Sequence, residues 1–519
     1  MRRKEPLTVI MPNKKVVHKR SPNGIVYIYY TLRAYRNDKG KPTSDTVLIG
    51  KLAEDGISLV PNAQYHELFP KAPQAVAKPT IGSIRQGGTT DAFKALSEKL
   101  GLQDCLAAVF PEEHSAIMTA AMYMAECGNV MAYIEDWLDV TDAPCRTLSS
   151  QDASRLFTSI QHERRREFFK LWAAKHKEEG HIAYDVTSIS THSDIIEQAE
   201  WGHNRDGDSL CQLNVGMFYG ITSGLPLYYS LYNGSICDKS HLNYMMRDAA
   251  DLNIENIEFV FDKGFVTVEN LMYMQKAGHR FLAPCPPSRK DVKALINSVG
   301  TQVRDPANWM NDEDRYGMRI SFNLLGCDLW AHVFYDSSRF AEQERGFYSY
   351  IDRLESELKG FRSRRIQKKY RDFFFFSEDT SKKKELTISR NEGAIAQALL
   401  TAGFTVFITN NERLIPEDVL KLYRRRDDVE KAFDDLKNGV DFKRFKTHTQ
   451  ITTEGKAFVG FIALVLRSYM RNLLHQSQET KGITMKKALL ELGKLRHIVT
   501  GNGAEWFQPP TSSLSENCP

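Results

Sequence analysis

The sequence predicts an α/β protein whose central part is a mixed β-sheet. Residues 181–190 alternate in polarity and are rich in β-branched side chains, which is typical of a strand. Antiparallel hairpin spacing follows, and then an alternation of strand, helix and strand. Together these patterns favour a mixed sheet. The expected elements are strands at 211–220, at 225–232, around Phe259 and around Phe281, and a helix at 240–252.

The length of 519 residues is too great for one hydrophobic core, so two to four domains are expected. We divide the chain into a basic β-hairpin region, a helical region, the first half of the core, an insertion domain, the second half of the core and a tail. The boundaries are 1–75, 76–178, 179–285, 286–400, 401–480 and 481–519. The net charge is only +4, so affinity for a polyanion must come from local patches.

The first fifty residues form such a patch, with eleven basic residues against three acidic ones. Strands are expected at 24–36 and 46–52 around a turn at 37–40, with tyrosines interleaved among the cations. This pattern favours contact with a DNA backbone. The alternative is a solvated edge hairpin whose lysines prevent aggregation.

Between these regions, residues 90–177 are expected to be helical after a linker at 73–88. The insertion at 286–400 is expected to hold two strands over 320–335 and a long basic helix over 341–369. Short strands at 373–376 and 386–388 follow, with the cations Lys382, Lys383 and Lys384 between them. The basic helix is either a DNA-contact surface or an ordinary solvated face.

Two aspartates occupy strand positions where propensity and burial disfavour them. Asp185 lies inside the strand at 181–190, and Asp262 ends a short apolar run that Lys263-Gly264 closes. The carboxyl ends of strands are where α/β sheets place ligands. For Asp262 a turn-forming role is a fair alternative, because Asp-Lys-Gly is turn chemistry. For Asp185 that alternative is weaker.

The segment 423–437 is expected to be one helix that carries Tyr423, Arg426, Glu430 and Lys437 within about 60° of one another. An apolar stripe lies about 80° away. The opposite, solvent-facing side is expected to hold Asp427, Asp428, Lys431, Asp434 and Asp435. The plain alternative is an amphipathic helix with i,i+4 ion pairs.

If Asp185, Asp262 and Glu430 converge, they form a hard, oxygen-rich pocket. Such pockets suit Mg²⁺, and Mn²⁺ can substitute. Two such ions a few ångströms apart can activate a water and stabilise the leaving oxygen of a phosphodiester.

The order of these motifs resembles the DDE transposases of bacterial insertion sequences, in the branch with the Y-R-E-K signature. Residues 423–437 match that signature without a gap, Asp185 and Thr187 match a D-x-T strand, and residues 262–265 match a D-(R/K)-G-F turn. The segment 224–238 resembles the strand and turn between them, although Asn233-Gly234 inverts the dipeptide. The resemblance covers roughly residues 183–467.

The resemblance implies an RNase H-like core with an insertion domain between the second aspartate and the glutamate. It implies cut-and-paste chemistry, in which transposon ends are cleaved and their 3′-OH groups are joined to target DNA. Asp185, Asp262 and Glu430 would be the catalytic metal ligands. Tyr423, Arg426 and Lys437 would grip phosphates near the scissile bond. The expected partners are double-stranded DNA and a second protomer on paired ends, and a hairpin intermediate is implied.

Other classes lack their signatures. The eight cysteines are scattered without C-x-x-C pairs, which argues against zinc and suits a reducing cytoplasm. The phosphate loops of ATP-binding proteins are missing. The amino terminus lacks the apolar segment of a signal peptide, and the apolar run 458–466 is too short to span a membrane. A bacterial cytoplasmic, nucleoid-associated protein is therefore expected.

Two alternatives remain. One is another RNase H-like nuclease, such as a junction resolvase, although the basic hairpin and the long insertion argue against a compact resolvase. The other is a DNA-binding protein descended from a transposase that no longer performs chemistry. The intact set of three carboxylates argues against that interpretation.

Overall fold

The fold was analysed in a computed structural model of the full chain. The structure describes residues 8–53, 55–70, 81–176, 178, 180–202, 207–252, 254, 258–359, 367–378, 386–500 and 505–507. The cations at 382–384, residues 73–80 of the expected linker and most of the tail beyond residue 500 lie outside these residues. The chain divides into two compact units, Met1–Ile84 with Ile498–Trp506 and Arg85–His497 with Phe507–Pro519.

The first unit is a twisted antiparallel sheet with its own small core. The predicted hairpin is present, but two further strands extend it to four strands in the order β1-β2-β3-β4. Ile28, Ile49, Leu59 and Tyr65 form the buried centre of the unit. The elements are β1 (Val16–Arg20), β2 (Val26–Arg36), β3 (Pro42–Leu52), β4 (Leu59–Pro61) and α1 (Ala63–Leu68), followed by β5 (Ile81–Gln86).

A layer of helices opens the second unit, as the sequence predicts. Its helices are α2 (Gly88–Leu100), α3 (Leu102–Val109), α4 (His114–Cys127), α5 (Ile134–Val140), α6 (Ser150–Ser159) and α7 (His162–Lys175). Gly101 ends α2 with a left-handed backbone, φ 61°, which a glycine adopts without strain. Nine consecutive residues of α4 are buried, so this helix lies inside the layer.

The first half of the sheet follows the predicted order closely. Its elements are β6 (His181–Ser190), β7 (Gln212–Gly220), β8 (Pro226–Asn233), α8 (Asp238–Asp251), β9 (Glu258–Phe261), α9 (Val268–Lys276) and β10 (Arg280–Cys285). The strands β6, β7 and β8 pair antiparallel, whereas β9 runs parallel to both β6 and β10.

The insertion begins later than the sequence analysis placed it. After α10 (Lys290–Val299), the strands β11 (Trp309–Met310), β12 (Arg315–Leu324) and β13 (Cys327–Tyr335) join the central sheet. They do so because β13 pairs with a strand from beyond the insertion. A separate small core, centred on Ile351, Leu354 and Tyr370, occurs only in the elements that follow. These are α11 (Ser337–Lys359), α12 (Lys368–Arg371), β14 (Phe374–Glu378), β15 (Leu386–Arg390) and α13 (Glu392–Leu399).

The remaining elements return to the sheet and cover it. They are β16 (Phe404–Thr409), α14 (Pro416–Arg425), α15 (Asp427–Asp434), a π-helical turn (Asp435–Gly439), α16 (Gln450–Gln476), α17 (Met485–Leu492), β17 (Arg496–Thr500) and β18 (Glu505–Phe507). Among the described residues, α16 is long and apolar enough to cross a membrane by length and composition, but 67% of its most apolar window is buried inside the protein. It is a core helix of the second unit.

The described strands of the second unit form a nine-stranded sheet in the order β11-β12-β13-β16-β10-β9-β6-β7-β8. The part β8-β7-β6-β9-β10, with its antiparallel hairpins and parallel β9 and β10, is an RNase H-like core. This confirms the predicted fold class. The short strands β18, β17 and β5 form a separate three-stranded sheet.

Candidate active site

The two strand aspartates occupy matching positions on neighbouring parallel strands. The pairing of β6 with β9 ends at Tyr184 opposite Phe261, and Asp185 and Asp262 are the next residue on each strand. Asp185 is 6% exposed, and its Oδ1 accepts a hydrogen bond of 2.8 Å from the amide of Val186. The backbones of Asp185 and Asp262 are therefore adjacent on the sheet.

Asp262 also caps the turn that follows β9. Its side chain accepts a hydrogen bond of 2.7 Å from the amide of Lys263, at the start of the 3₁₀ turn Lys263–Phe265. The turn role that the sequence offered as an alternative is thus present. Because that bond involves one of the two carboxylate oxygens, the cap leaves the other oxygen available for a further ligand.

Glu430 comes from α15 and meets the strand aspartates through Arg426. The Nη1 of Arg426 lies 3.3 Å from Oδ2 of Asp185, and its Nη2 forms an ion pair with the carboxylate of Glu430. Arg426 is only 6% exposed, whereas the side chain of Glu430 is 54% exposed. One carboxylate is therefore fixed in the protein, and the other lies at its surface.

The electrostatic environment of Arg426 includes all three carboxylates. Burial alone would lower the pKa of Arg426, but Tyr423, Asp185, Glu430 and Asp262 together raise it. Burial raises the pKa of Tyr423, and Asp262 and Glu430 add to that rise while Arg426 opposes it. All three acidic residues that the sequence singled out therefore act on the charge of Arg426, and two of them act on the phenol of Tyr423.

The prediction of one continuous helix over 423–437 is wrong. Helix α14 ends at Arg425 and α15 starts at Asp427, with Arg426 between them. The chain tightens there, because the amide of Arg426 donates to the carbonyl of Tyr423 and the amide of Val429 donates to that of Arg426. Arg426 keeps a right-handed helical backbone at this tightened turn, and its guanidinium reaches Asp185.

The phenol of Tyr423 does not project freely towards solvent. Its half-buried ring packs edge-on against Phe407, with 4.7 Å between the ring centroids, and the guanidinium of Arg426 lies 5.3 Å above it. Lys437 lies half-buried in the π-helical turn, past the end of α15. The structure therefore brings Tyr423 and Arg426 to the carboxylates, and places Lys437 on a differently wound segment.

Asp435 does not lie on the solvent-facing side, where the sequence predicted it. Its Oδ1 accepts a hydrogen bond of 2.9 Å from Arg467, its Oδ2 pairs with Arg471, and its side chain is 13% exposed. These two cations come from α16, so the π-helical turn is bound to the central helix. Helical periodicity did not predict the burial of Asp435, because it places each charged residue by its angle around the helix alone. The arginines within the apolar sequence of α16 were the feature of the sequence that could have indicated a buried acidic partner.

The oxygen donors at this site fit a divalent cation of the Mg²⁺ or Mn²⁺ type, because such ions prefer carboxylates. Among the described residues, no group of three or more His, Cys, Asp or Glu side chains is drawn together in a metal-holding arrangement. Arg426 lies between Asp185 and Glu430 and bonds to both. The donor chemistry fits the ion, and Glu430 is the more exposed of the two carboxylates that Arg426 bonds.

An RNase H-like core with two aspartates on adjacent strands and a glutamate on a following helix defines a class of nucleic-acid-processing enzymes. The chain matches the family described as "Transposase DDE domain" over residues 176–466, which is more than half of its length. The protein belongs to that family of DDE transposases.

Other comparisons add little. A search of curated protein sequences found no match. Among solved structures, the chain is similar to a piggyBac transposase in a synaptic complex with hairpin DNA. That likeness has 8% sequence identity and a TM-score of 0.34, and it covers 78% of this chain and 75% of that one. A TM-score this low supports no conclusion about mechanism.

Proposed function

We propose that this protein is a cut-and-paste transposase of a bacterial insertion sequence. It would cleave the ends of its element and join the freed 3′-OH groups to target DNA. The observation that carries the proposal is that Asp185 and Glu430 both pair with Arg426, with Asp262 at the matching position on the strand beside Asp185, in a family of DDE transposases.

In this proposal Asp185, Asp262 and Glu430 would hold two Mg²⁺ ions, for which Mn²⁺ can substitute. When bound, such ions supply Lewis-acid activation of a water or 3′-OH and neutralise charge on the scissile phosphate. Asp185 is rigidly placed by its strand and by Arg426, so it would set the geometry of the site. Glu430, at the surface, would complete the site when DNA binds.

Arg426 serves a different role here from the phosphate grip that its motif implies. It orients Asp185 and Glu430 by hydrogen bonds and leaves phosphate contact to more exposed groups. Lys437 remains a candidate for such contact. Tyr423 would supply a phenol beside the carboxylates. The DNA substrate, two protomers on paired ends and a nucleoid location in the bacterial cytoplasm belong to the same proposal.

The decisive experiment is single-turnover cleavage of duplexes that carry the inverted repeats flanking the gene. Asp185→Ala, Asp262→Ala and Glu430→Ala should each abolish cleavage and strand joining while DNA binding persists. Asp434→Ala is the matched control, because it removes an exposed carboxylate from the same helix. A variant at any of the three sites that kept more than about a hundredth of the wild-type rate would contradict the role of that residue.

The same assay separates the alternatives. Cleavage without joining of the 3′-OH to a target duplex would indicate another RNase H-like nuclease. Specific binding without cleavage at any divalent-ion concentration would indicate a DNA-binding descendant of a transposase.

A further inference from the structure

A short basic segment follows the catalytic helix and returns to the catalytic strand. Residues 441–448 read Asp-Phe-Lys-Arg-Phe-Lys-Thr-His, and we call them the return loop. Phe442 and Phe445 are 1% and 3% exposed, whereas Lys443, Arg444 and Lys446 are exposed. The aromatic residues thus anchor the loop in the core, and the three cations project from it.

The backbone of the return loop is held from several sides. The side-chain amide of Asn129 donates to the carbonyls of Asp441, at 2.9 Å, and Arg444, at 3.2 Å. The ring of Phe442 packs against α16 where Gly460 leaves room, since a Cβ there would overlap the ring. Lys456, itself 2% exposed, lies 3.4 Å from the carbonyl of Lys446 and donates to it. The cations are therefore presented by a fixed scaffold.

The return loop pairs with β6 on the edge that β9 leaves open. The amide of Ser190 donates to the carbonyl of Lys443, and the amide of Phe445 donates to that of Ser190. Strand β7 occupies the other edge of β6 along its whole length, and β9 stops at Phe261. Ser190, which pairs with the return loop, lies five residues after Asp185 on β6. At about 3.3 Å per residue, the distance between Asp185 and Ser190 along the strand is roughly 17 Å.

Among the described residues, the cleft around these cations is lined by two acidic and three basic side chains. A cleft of about 540 Å³ is lined by Lys443, Arg444, Lys446, Asp208 and Asp441. Arg444 pairs with Asp208 at 3.2 Å, and Lys446 pairs with Asp441, each between side chains that are about a third to a half exposed. Exposed pairs contribute little stability, so a phosphate can replace the carboxylates at small cost.

We propose that the side chains of Lys443, Arg444 and Lys446 form a contact surface for the DNA backbone, roughly 17 Å from the scissile phosphodiester. Because each strand turns once about the duplex axis in about 10 base pairs, phosphates that lie at this distance are within about five base pairs of the scissile position. The inference rests on the proposed function, because it takes the scissile phosphate to lie at Asp185. The return loop would be a second contact with the duplex. Together with the scissile phosphate at Asp185, this contact would set the direction of the duplex across the sheet.

The test uses end duplexes that carry a single neutral methylphosphonate at successive positions from the cleavage site, on each strand in turn. For the wild-type protein, neutralising the phosphates that contact the return loop, within about five base pairs of the cleavage site, should weaken binding several-fold. The triple variant Lys443→Ala, Arg444→Ala, Lys446→Ala should bind all duplexes more weakly, and should lose the extra sensitivity at those positions. Its salt-dependence slope should fall by about 0.9 for each phosphate that the protein no longer neutralises.

The matched control is Lys481→Ala, Lys486→Ala, Lys487→Ala, which removes the same charge from exposed positions elsewhere in the second unit. It should keep the wild-type methylphosphonate profile. Thermal melting of both triple variants should match the wild type, because all six side chains are exposed.

Three results would overturn the inference: an unchanged methylphosphonate profile in the return-loop variant, an equal loss of affinity in the control, or a wild-type profile without a sensitive position in that range. Each leaves the proposed function intact if Asp185→Ala still abolishes cleavage. If Asp185→Ala cleaves normally, the proposed function itself fails.

Discussion

The guanidinium of Arg426 donates a hydrogen bond of 3.3 Å to the carboxylate of Asp185, across 241 residues of sequence. The two side chains are 8% and 9% exposed, so the pair is buried. A buried ion pair adds little net stability, but removing one partner leaves an unpaired charge in a low-dielectric environment. The position of a candidate catalytic aspartate therefore depends on the junction between α14 and α15.

We expect Arg426→Ala to lower the free energy of unfolding by about 3–5 kcal/mol, because Asp185 loses its buried partner. The double variant Arg426→Ala, Asp185→Asn should recover much of that loss, since the charge left behind is also removed. Urea unfolding of both variants measures this. Lys431→Ala is the control, because its side chain is 57% exposed, and it should be nearly silent. Equal stability of Arg426→Ala and Lys431→Ala would show that the ion pair between Arg426 and Asp185 does not stabilise the site.

Divalent cations should stabilise the wild-type protein through its carboxylates. We expect Mg²⁺ and Mn²⁺ to raise its Tm, because a ligand that binds only the folded state stabilises it. Asp185→Ala should lose this rise, whereas Asp434→Ala should keep it. Mg²⁺ and Mn²⁺ should also support cleavage, Ca²⁺ should support assembly alone, and chelation by EDTA should stop cleavage. Cleavage in EDTA would rule out the two-metal proposal.

Lys456 should make stability depend on pH. Burial chiefly, with Lys446 nearby, lowers the pKa of Lys456 from 10.5 to about 7. Between these two values the unfolded chain binds the proton and the folded protein does not, so stability rises with pH across that window. The destabilisation is complete below about pH 7, where it is on the order of 5 kcal/mol, and it is lost as pH approaches 10.5.

Replacing Lys456 tests whether the stability of the protein rises with pH because of this side chain. Lys456→Met should raise Tm most near pH 6, and the gain should shrink as pH increases above about 7. The exposed Lys431→Met serves as the control and should show no such trend. A gain that stayed constant with pH would mean that the ammonium group is charged in the folded protein.

The amino-terminal unit should contribute phosphate contacts through side chains that its fold does not need. Lys19, Arg33, Lys39 and Lys41 are exposed, while the core of the unit is centred on Ile28 and other apolar residues. Replacing these four cations with alanine should flatten the salt dependence of binding to end duplexes, by about 0.9 for each phosphate left without its cation, without changing thermal stability. An unchanged slope would identify the sheet as an ordinary structural edge.

Local patterns predicted much of the sheet. The strand at 181–190 has the predicted bounds, because β-branched alternation is a property of the segment itself. The break at Arg426 and the buried place of Asp435 could not be predicted in the same way. Contacts with residues far along the chain decide both, and a helical wheel contains no information about them.

The ties between Asp435 and α16 have a consequence for synthesis on the ribosome. By residue 440 a nascent chain already contains Asp185, Asp262 and Glu430, yet the helix that holds the π-helical turn ends only at Gln476. A polypeptide that stops between these points carries every acidic residue of the site without the support that positions the last one. We therefore expect the site to take its folded form only after α16 has been translated.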